Sequence, residues 1–376
     1  MHIGIDARKI RDFGIGAYIE NLIRYIPEYD QINRYVIFHY PDDRSYIPQS
    51  GPNITLVPET SPKYSLRELA VLPFSMKAQR LDLFHAPHYT LPPLRPCKGL
   101  VTIHDVIHLR FPEYLPHPSA YYYAKAIMWA ASRSAKKIIT VSEYSKQDIV
   151  KYLGVPEKKV IVIYNGIEPN PKSGYNDDAQ KAMLREHFEI SRPYIFYLGN
   201  FLPHKNVGAL IKAYSLLRQQ HDIPHCLVLA GKNDKMRNTL QELIEQEQLT
   251  QHVILTGFVE PKLITPLYAQ ADLLVNPSLY EGFGLQVLEA MAHDTPVAIS
   301  NVASLPEIVG DAALRFDPRS AQNMADVIYQ GIHDRGLRKT LIERGQERLP
   351  LFSWKAMAQR TVGVYHSILS GTCQMS

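Results

Sequence analysis

The chain has 376 residues, 45% hydrophobic and 21% charged, proportions that exclude a disordered or fibrous protein. So long a chain rarely shares one core, so two domains are expected. The formal net charge of +4, with a pI near 8.7, is too mild to point to nucleic acid, and no basic run interleaved with aromatics supports it.

Short β-rich runs alternate with longer amphipathic segments, the pattern of an α/β protein with parallel sheets covered by helices. The predicted strands of the first half are His2–Ala7, Tyr35–Tyr40, Ile54–Pro58, Leu81–His85, Leu100–His104, Lys137–Val141 and Val160–Ile163. Helical patterns lie between them at Gly16–Ile26, Leu66–Gln79, Ala120–Arg133 and Ser145–Leu153. The segment Glu168–Asn176, rich in Pro, Asn, Gly and Ser, reads as a linker. Strands then resume at Tyr194–Leu198, Cys226–Ala230, Val253–Leu255, Leu273–Asn276 and Val297–Ser300. Helical patterns accompany them at Val207–Gln219, Met236–Gln248, Gly284–His293 and Ala321–His333, and a last one covers Trp354–Leu369. The expected domains are residues 1–175, joined by 354–376, and residues 176–353, each Rossmann-like and together flanking a ligand cleft.

Cys97, Cys226 and Cys373 form no metal-ligand spacing, and Cys226 reads as a core residue. The start of the chain lacks the charged leader and apolar run of a signal peptide, and no stretch of about 18 apolar residues occurs. A cytoplasmic protein is expected. Between Arg110 and Val160 nine Lys or Arg face four Asp or Glu. That patch suits peripheral contact with the inner face of a membrane, and equally a solvated helix face. Tyr121, Tyr122, Tyr123 and Trp129 are expected to pack a helix. His85, His88, His104 and His108 lack a carboxylate cluster, so no metal site is expected.

The most informative segment is SLYEGFGLQVLEAMAHDTPV, Ser278 to Val297, in which seven residues separate Glu281 from Glu289. Gly282 and Gly284 let backbone N–H groups approach a ligand, and a helix starting near Leu285 directs its positive end at the same place. Glu281 can face a sugar hydroxyl, and Glu289, a turn inside the helix, can accept from ribose hydroxyls. Taken alone the spacing is weak. In YIFYLGNFLPHKN, Tyr194 to Asn206, a strand leads through a loop to a helix, with Asn206 as its expected N-cap and Lys205 where anions gather. In LVTIHDV, Leu100 to Val106, His104 and Asp105 follow a strand at its carboxyl edge. Gly14 and Gly16 form a G-x-G before a helix, short of the dinucleotide fingerprint because Ile19 stands at the third glycine.

The run Ser278–Pro318 resembles the signature of family 4 glycosyltransferases, and the whole chain looks closest to bacterial mannosyltransferases. The resemblance implies the GT-B fold, with a C-terminal helix crossing back to the first domain, and a retaining, metal-independent hexosyltransferase without a cofactor. It implies a nucleotide-sugar donor, GDP-mannose before UDP-glucose or UDP-N-acetylglucosamine, and a glycan or lipid-linked saccharide acceptor in surface-polysaccharide biosynthesis. It gives Glu281, His104 and Asp105 to catalysis. Lys205, Asn200, Glu289, Gly282, Phe283, Gly284 and Leu285 go to donor binding, with Gly14 and Gly16 near the donor phosphates. Asn200 departs from the family's usual arginine, and His204 or Arg8 could compensate. Gln286 replaces a common proline, and His293-Asp294 a small glycine-containing pair; neither is expected to touch the chemistry. A sugar-nucleotide epimerase, a phosphorylase or a non-catalytic sugar-binding protein are the alternatives.

Overall fold

The computed structural model describes residues 1–48, 51–115, 117–168, 177–231 and 234–371. The expected linker, beyond Glu168, and Cys373 lie outside the described residues. The chain divides into two compact units, Met1–Gly166 together with the C-terminal segment from Phe352, and Ile167–Leu351.

The first unit is built on β1 (His2–Asp6), β2 (Arg34–His39), β3 (Ile54–Pro58), β4 (Leu83–Ala86), β5 (Lys98–Thr102), β6 (Lys137–Thr140) and β7 (Val160–Val162). They form one parallel sheet in the order β3-β2-β1-β4-β5-β6-β7. The second unit holds β8 (Tyr194–Leu198), β9 (Cys226–Ala230), β10 (Val253–Gly257), β11 (Leu273–Asn276), β12 (Val297–Ser300) and β13 (Leu314–Phe316). Its parallel order is β10-β9-β8-β11-β12-β13. Parallel strands need helical crossovers on both faces, and central strands such as Cys226–Ala230 and Leu273–Asn276 are accordingly buried throughout. In each sheet the winding direction reverses once, between β1 and β4 and between β8 and β11. The carboxyl ends of strands flanking such a reversal diverge and leave a crevice for a ligand.

As expected, the C-terminal helix Trp354–Ser370 returns to the first unit, where it packs on the helix Phe13–Tyr29. Ser353 caps it through Ala356 N–H, and Trp354, Met357, Ala358, Val362 and Tyr365 form its buried stripe. Tyr365 reaches His85 on β4, its hydroxyl 2.8 Å from Nδ1, while Thr102 Oγ1 lies 2.8 Å from Nε2. Burial of this imidazole lowers its pKa to about 3.

Among the described residues five α-helices and one strand depart from the sequence pattern: Ile107–Arg110, Asp177–Phe188, Pro261–Ala269, Leu305–Val309, Arg335–Arg348 and β13. Arg335–Arg348 buries only Leu341 and Gly345, too little to print an apolar stripe. Pro266 inside Pro261–Ala269 reads in sequence as a break. On the helix Pro118–Ser134, Tyr121 packs on the core, but Tyr122 and Trp129 are exposed, so the aromatic group does not pack as one.

Candidate active site

At the reversal of the second sheet, β8 and β11 are hydrogen-bonded neighbours, so the loops leaving them meet. The first runs from Gly199 through a 3-10 turn, Pro203–Lys205, to the helix Val207–Gln220. The second runs from Pro277 to the helix Leu285–Ala292. Leu279 N–H donates to His204 O at 2.8 Å, tying them together. Asn206 is not the side-chain cap expected of it. It takes a left-handed conformation (φ 59°), and its Nδ2 donates to Pro277 O (3.0 Å) and Pro318 O (2.9 Å). Its amide joins three loops instead of satisfying the helix.

Glu281 is the focus of this junction. Its Oε1 accepts from Lys205 Nζ at 2.6 Å, Ser278 Oγ at 2.9 Å and Gln286 Nε2 at 3.1 Å. Among the described residues no donor reaches Oε2, which leaves that oxygen for a ligand. Burial alone would raise the carboxyl pKa. The Lys205 charge and the bonds from Lys205 and Ser278 outweigh it and hold Glu281 below the usual range. Ser304 Oγ supports the loop from behind, donating to Glu281 O at 2.8 Å. Gly282, Phe283 and Gly284 follow, and Leu285 opens the helix. The Phe283 ring is buried, so it would serve a ligand through its backbone. Gly284 has φ 97°, a conformation that side-chain-bearing residues rarely adopt, and a Cβ there would also press on the end of Leu305, 2.7 Å from Cδ2.

Glu289 lies on the same helix, half-buried, with Tyr268 Oη donating to its Oε2 at 2.6 Å. Burial raises its pKa, and the Tyr268 bond offsets only part of the rise. His293 stacks on the Tyr268 ring at 5.4 Å and places Nδ1 2.7 Å from Glu289 O. Of the two departures expected not to touch the chemistry directly, Gln286 bonds the Glu281 carboxylate, whereas His293 reaches Glu289 only through its backbone carbonyl and the Tyr268 ring. Asn200 has its backbone oxygen bonded by Tyr197 Oη at 2.8 Å, while its Oδ1 is buried without a partner among the described residues. Arg8 cannot compensate for it. That guanidinium is buried and spent on Asp6, Glu68 (both at 2.6 Å) and Ser61 O. His204 is buried at the same junction, its carbonyl held by Leu279 N–H.

In the first unit, His104 follows β5, with Nε2 2.9 Å from Pro87 O. A carbonyl only accepts, so Nε2 carries the proton and Nδ1 keeps its lone pair. Burial lowers the pKa of this imidazole, and the Tyr18 ring meets it edge-on at 5.1 Å. Asp105, whose expected roles are to orient the imidazole or bind an acceptor hydroxyl, uses its Oδ1 to accept from Ile107 N–H at 3.0 Å, closing the turn into a short helix. Gly14 and Gly16 do not form a loop before a helix, because the helix already begins at Phe13. Gly16 serves close packing, since a Cβ there would lie 2.2 Å from Ile10 O. Among the described residues no group of three or more His, Cys, Asp or Glu is arranged to hold a metal ion, and no helix is long and apolar enough to cross a membrane.

Residues 14–170 match the model described as Glycosyltransferase Family 4, and residues 180–348 that of glycosyl transferases group 1. O-antigen chain mannosyltransferase B of Escherichia coli is 30% identical over 373 residues, 94% of this chain and 95% of that protein. This chain belongs to glycosyltransferase family 4. The family makes it a hexosyltransferase. O-antigen chain mannosyltransferase RfbU of Salmonella typhimurium is 27% identical over 297 residues, 77% of each chain. Sucrose-phosphate synthase from Thermosynechococcus elongatus superposes with a TM-score of 0.79 at 20% identity, covering 99% of this chain and 100% of that one, and carries the same GT-B fold.

Sequence reading missed Tyr268, Ser278, Ser304 and the contact of Gln286. Tyr268 sits on the proline-interrupted helix that the pattern hid, and the others carry no signal beyond nearness to the motif.

Proposed function

We propose that this family 4 enzyme is a retaining, metal-independent mannosyltransferase that takes mannose from GDP-mannose. The acceptor is a glycan or lipid-linked saccharide of surface-polysaccharide assembly, met at the inner membrane face. The mannosyl and O-antigen assignments rest on the functions for which the two relatives are named, at 30% and 27% identity.

The observation that carries the reading is the Lys205–Glu281 pair at 2.6 Å where the loops after β8 and β11 meet. Lys205 moves to the diphosphate when the donor arrives and stabilises the charge that grows there as the glycosidic bond breaks. Glu281, its second oxygen open, reads a hydroxyl of the sugar lying over Gly282–Leu285. Glu289 accepts from the ribose hydroxyls. His104, neutral and with Nδ1 unprotonated, stands on the acceptor side in the first unit. Same-face attack, with the departing phosphate oxygen taking the acceptor proton, needs no covalent nucleophile.

A thermal-shift screen with GDP, UDP, ADP and dTDP and their common sugar conjugates tests this. Ligand at a hundred times its dissociation constant stabilises the fold by about 2.7 kcal/mol. Selective stabilisation by GDP and GDP-mannose, unchanged by EDTA, is expected. A UDP-selective response would replace the sugar and keep the family, whereas a response lost with EDTA would end the metal-free reading.

A further inference from the structure

Lys9, just past β1, is an ionisable group that the reaction leaves unused. Its side chain is only 6% exposed, and among the described residues no hydrogen-bond partner reaches its ammonium. The carboxylate of Asp12 is 3.9 Å away and already takes a 2.7 Å bond from Lys63. The Tyr64 ring lies over the ammonium instead, its centroid 3.6 Å from Nζ. Three N–H donors face a π cloud, a weak substitute for the water they have lost. Burial accordingly lowers the Lys9 pKa to about 8.

His88, after β4, is the second orphan. Its Nδ1 is buried without a partner among the described residues, its ring lies against Tyr89 at 3.9 Å and meets Tyr64 at 5.5 Å. β1 and β4 flank the reversal of the first sheet, so both orphans sit at the crevice where a ligand is expected. Tyr64 is held by its backbone: its N–H donates to Glu68 Oε2 at 2.9 Å and its carbonyl accepts from Tyr123 Oη at 2.6 Å. Its φ is +60°, costly for a side-chain-bearing residue, and the residue is 42% exposed. The ring also meets Tyr89 at 6.0 Å, so turning it off the ammonium exchanges that contact while the backbone stays.

We propose that Lys9, His88 and Tyr64 form the subsite that recognises an uncharged sugar ring of the acceptor, with Tyr64 covering the Lys9 ammonium until that ring arrives. The inference rests on the assignment of the acceptor to the first unit. Lys9 then donates to neighbouring hydroxyls, His88 completes the set with one donor or acceptor nitrogen, and the Tyr64 ring lies along the sugar. The ligand is uncharged because the local charges already balance: Arg8, Lys9 and Lys63 face Asp6, Asp12 and Glu68. An anion would add a fourth negative group. Hydroxyls also both give and accept, as lysine and imidazole together require.

The full chain, with its lysine Nζ labelled with ¹⁵N, is titrated by NMR with methyl α-D-mannopyranoside and methyl α-D-glucopyranoside, alongside Lys9→Met. Lys9→Met removes an ammonium that holds no hydrogen bond among the described residues, and circular dichroism of the variant checks that the fold is intact. At least one glycoside should bind the wild type, bind Lys9→Met ten-fold or more weakly, and shift the Nζ resonance that the variant lacks. No binding of either glycoside, or equal affinity with an unmoved resonance, overturns the subsite. Mannose 6-phosphate binding ten-fold more tightly than the glycosides overturns the uncharged ligand. Failure of the wild type to consume any nucleotide sugar counts against the transferase reading, while the glycoside titration still judges the subsite.

Discussion

Lys205 Nζ lies 2.6 Å from Glu281 Oε1, so the cation expected on the donor phosphates is held in reserve by the carboxylate expected on the donor sugar. The pair is nearly buried, at 16% and 10% side-chain exposure. Lys205→Met should leave Glu281 without its cation, lowering stability by about 3 kcal/mol and weakening nucleotide diphosphate binding. Adding Glu281→Gln should recover most of the stability but none of the binding. Urea unfolding and calorimetric titration of the single and double variants measure the coupling; additive losses would dissolve the pair.

Glu281→Ala should abolish sugar transfer while nucleotide affinity stays within a few-fold of the wild type. Transfer assays beside nucleotide titration separate the two effects. Turnover near the wild-type rate would remove Glu281 from the reaction.

Tyr268 Oη stabilises the charged form of Glu289, whose pKa burial raises. Ribose hydroxyls donate to the carboxylate and not to the acid, so nucleotide affinity should be full above that raised pKa and fall as pH drops through it. Tyr268→Phe raises the pKa further. The loss should therefore begin about one pH unit higher, the worth of a hydrogen bond to a charged group. Superimposable pH profiles for the two proteins would refute the coupling.

Gln286 gives Glu281 a 3.1 Å bond that a proline at this position could not. Gln286→Leu should cost about ten-fold in kcat/KM, equivalent to about 1.4 kcal/mol, with the helix intact by circular dichroism. Unchanged kinetics would reduce the contact to a bystander.

His85 is neutral in the folded protein down to about pH 3 but titrates near 6.5 when unfolded. The unfolded chain then binds the extra proton, so stability is full above pH 6.5 and declines as pH falls toward 3, by about 1.4 kcal/mol per unit. His85→Gln should flatten that slope by a similar amount in urea titrations between pH 6 and 4. An unaltered slope would assign the acid sensitivity elsewhere.

The sequence alone determined the two βα arrays, the C-terminal helix and the membership in family 4, while that helix's return to the first unit was only implied by the family resemblance. Each is written locally: buried parallel strands print apolar runs such as Cys226–Ala230, amphipathic helices print a 3.6-residue period, and the Ser278–Pro318 run is contiguous. It also singled out Lys205 and Glu281 as members of two motifs, without their contact. Only the tertiary structure decided that contact, because it depends on β8 and β11 being neighbours across residues distant in the chain. Burial decided the rest. Asn206 was spent on carbonyls from two other loops, Arg8 on Asp6 and Glu68, and Lys9 was left without a hydrogen-bond partner beneath Tyr64. A polar side chain's partner is set by which loops the sheet order brings together, and no local period in the sequence records it.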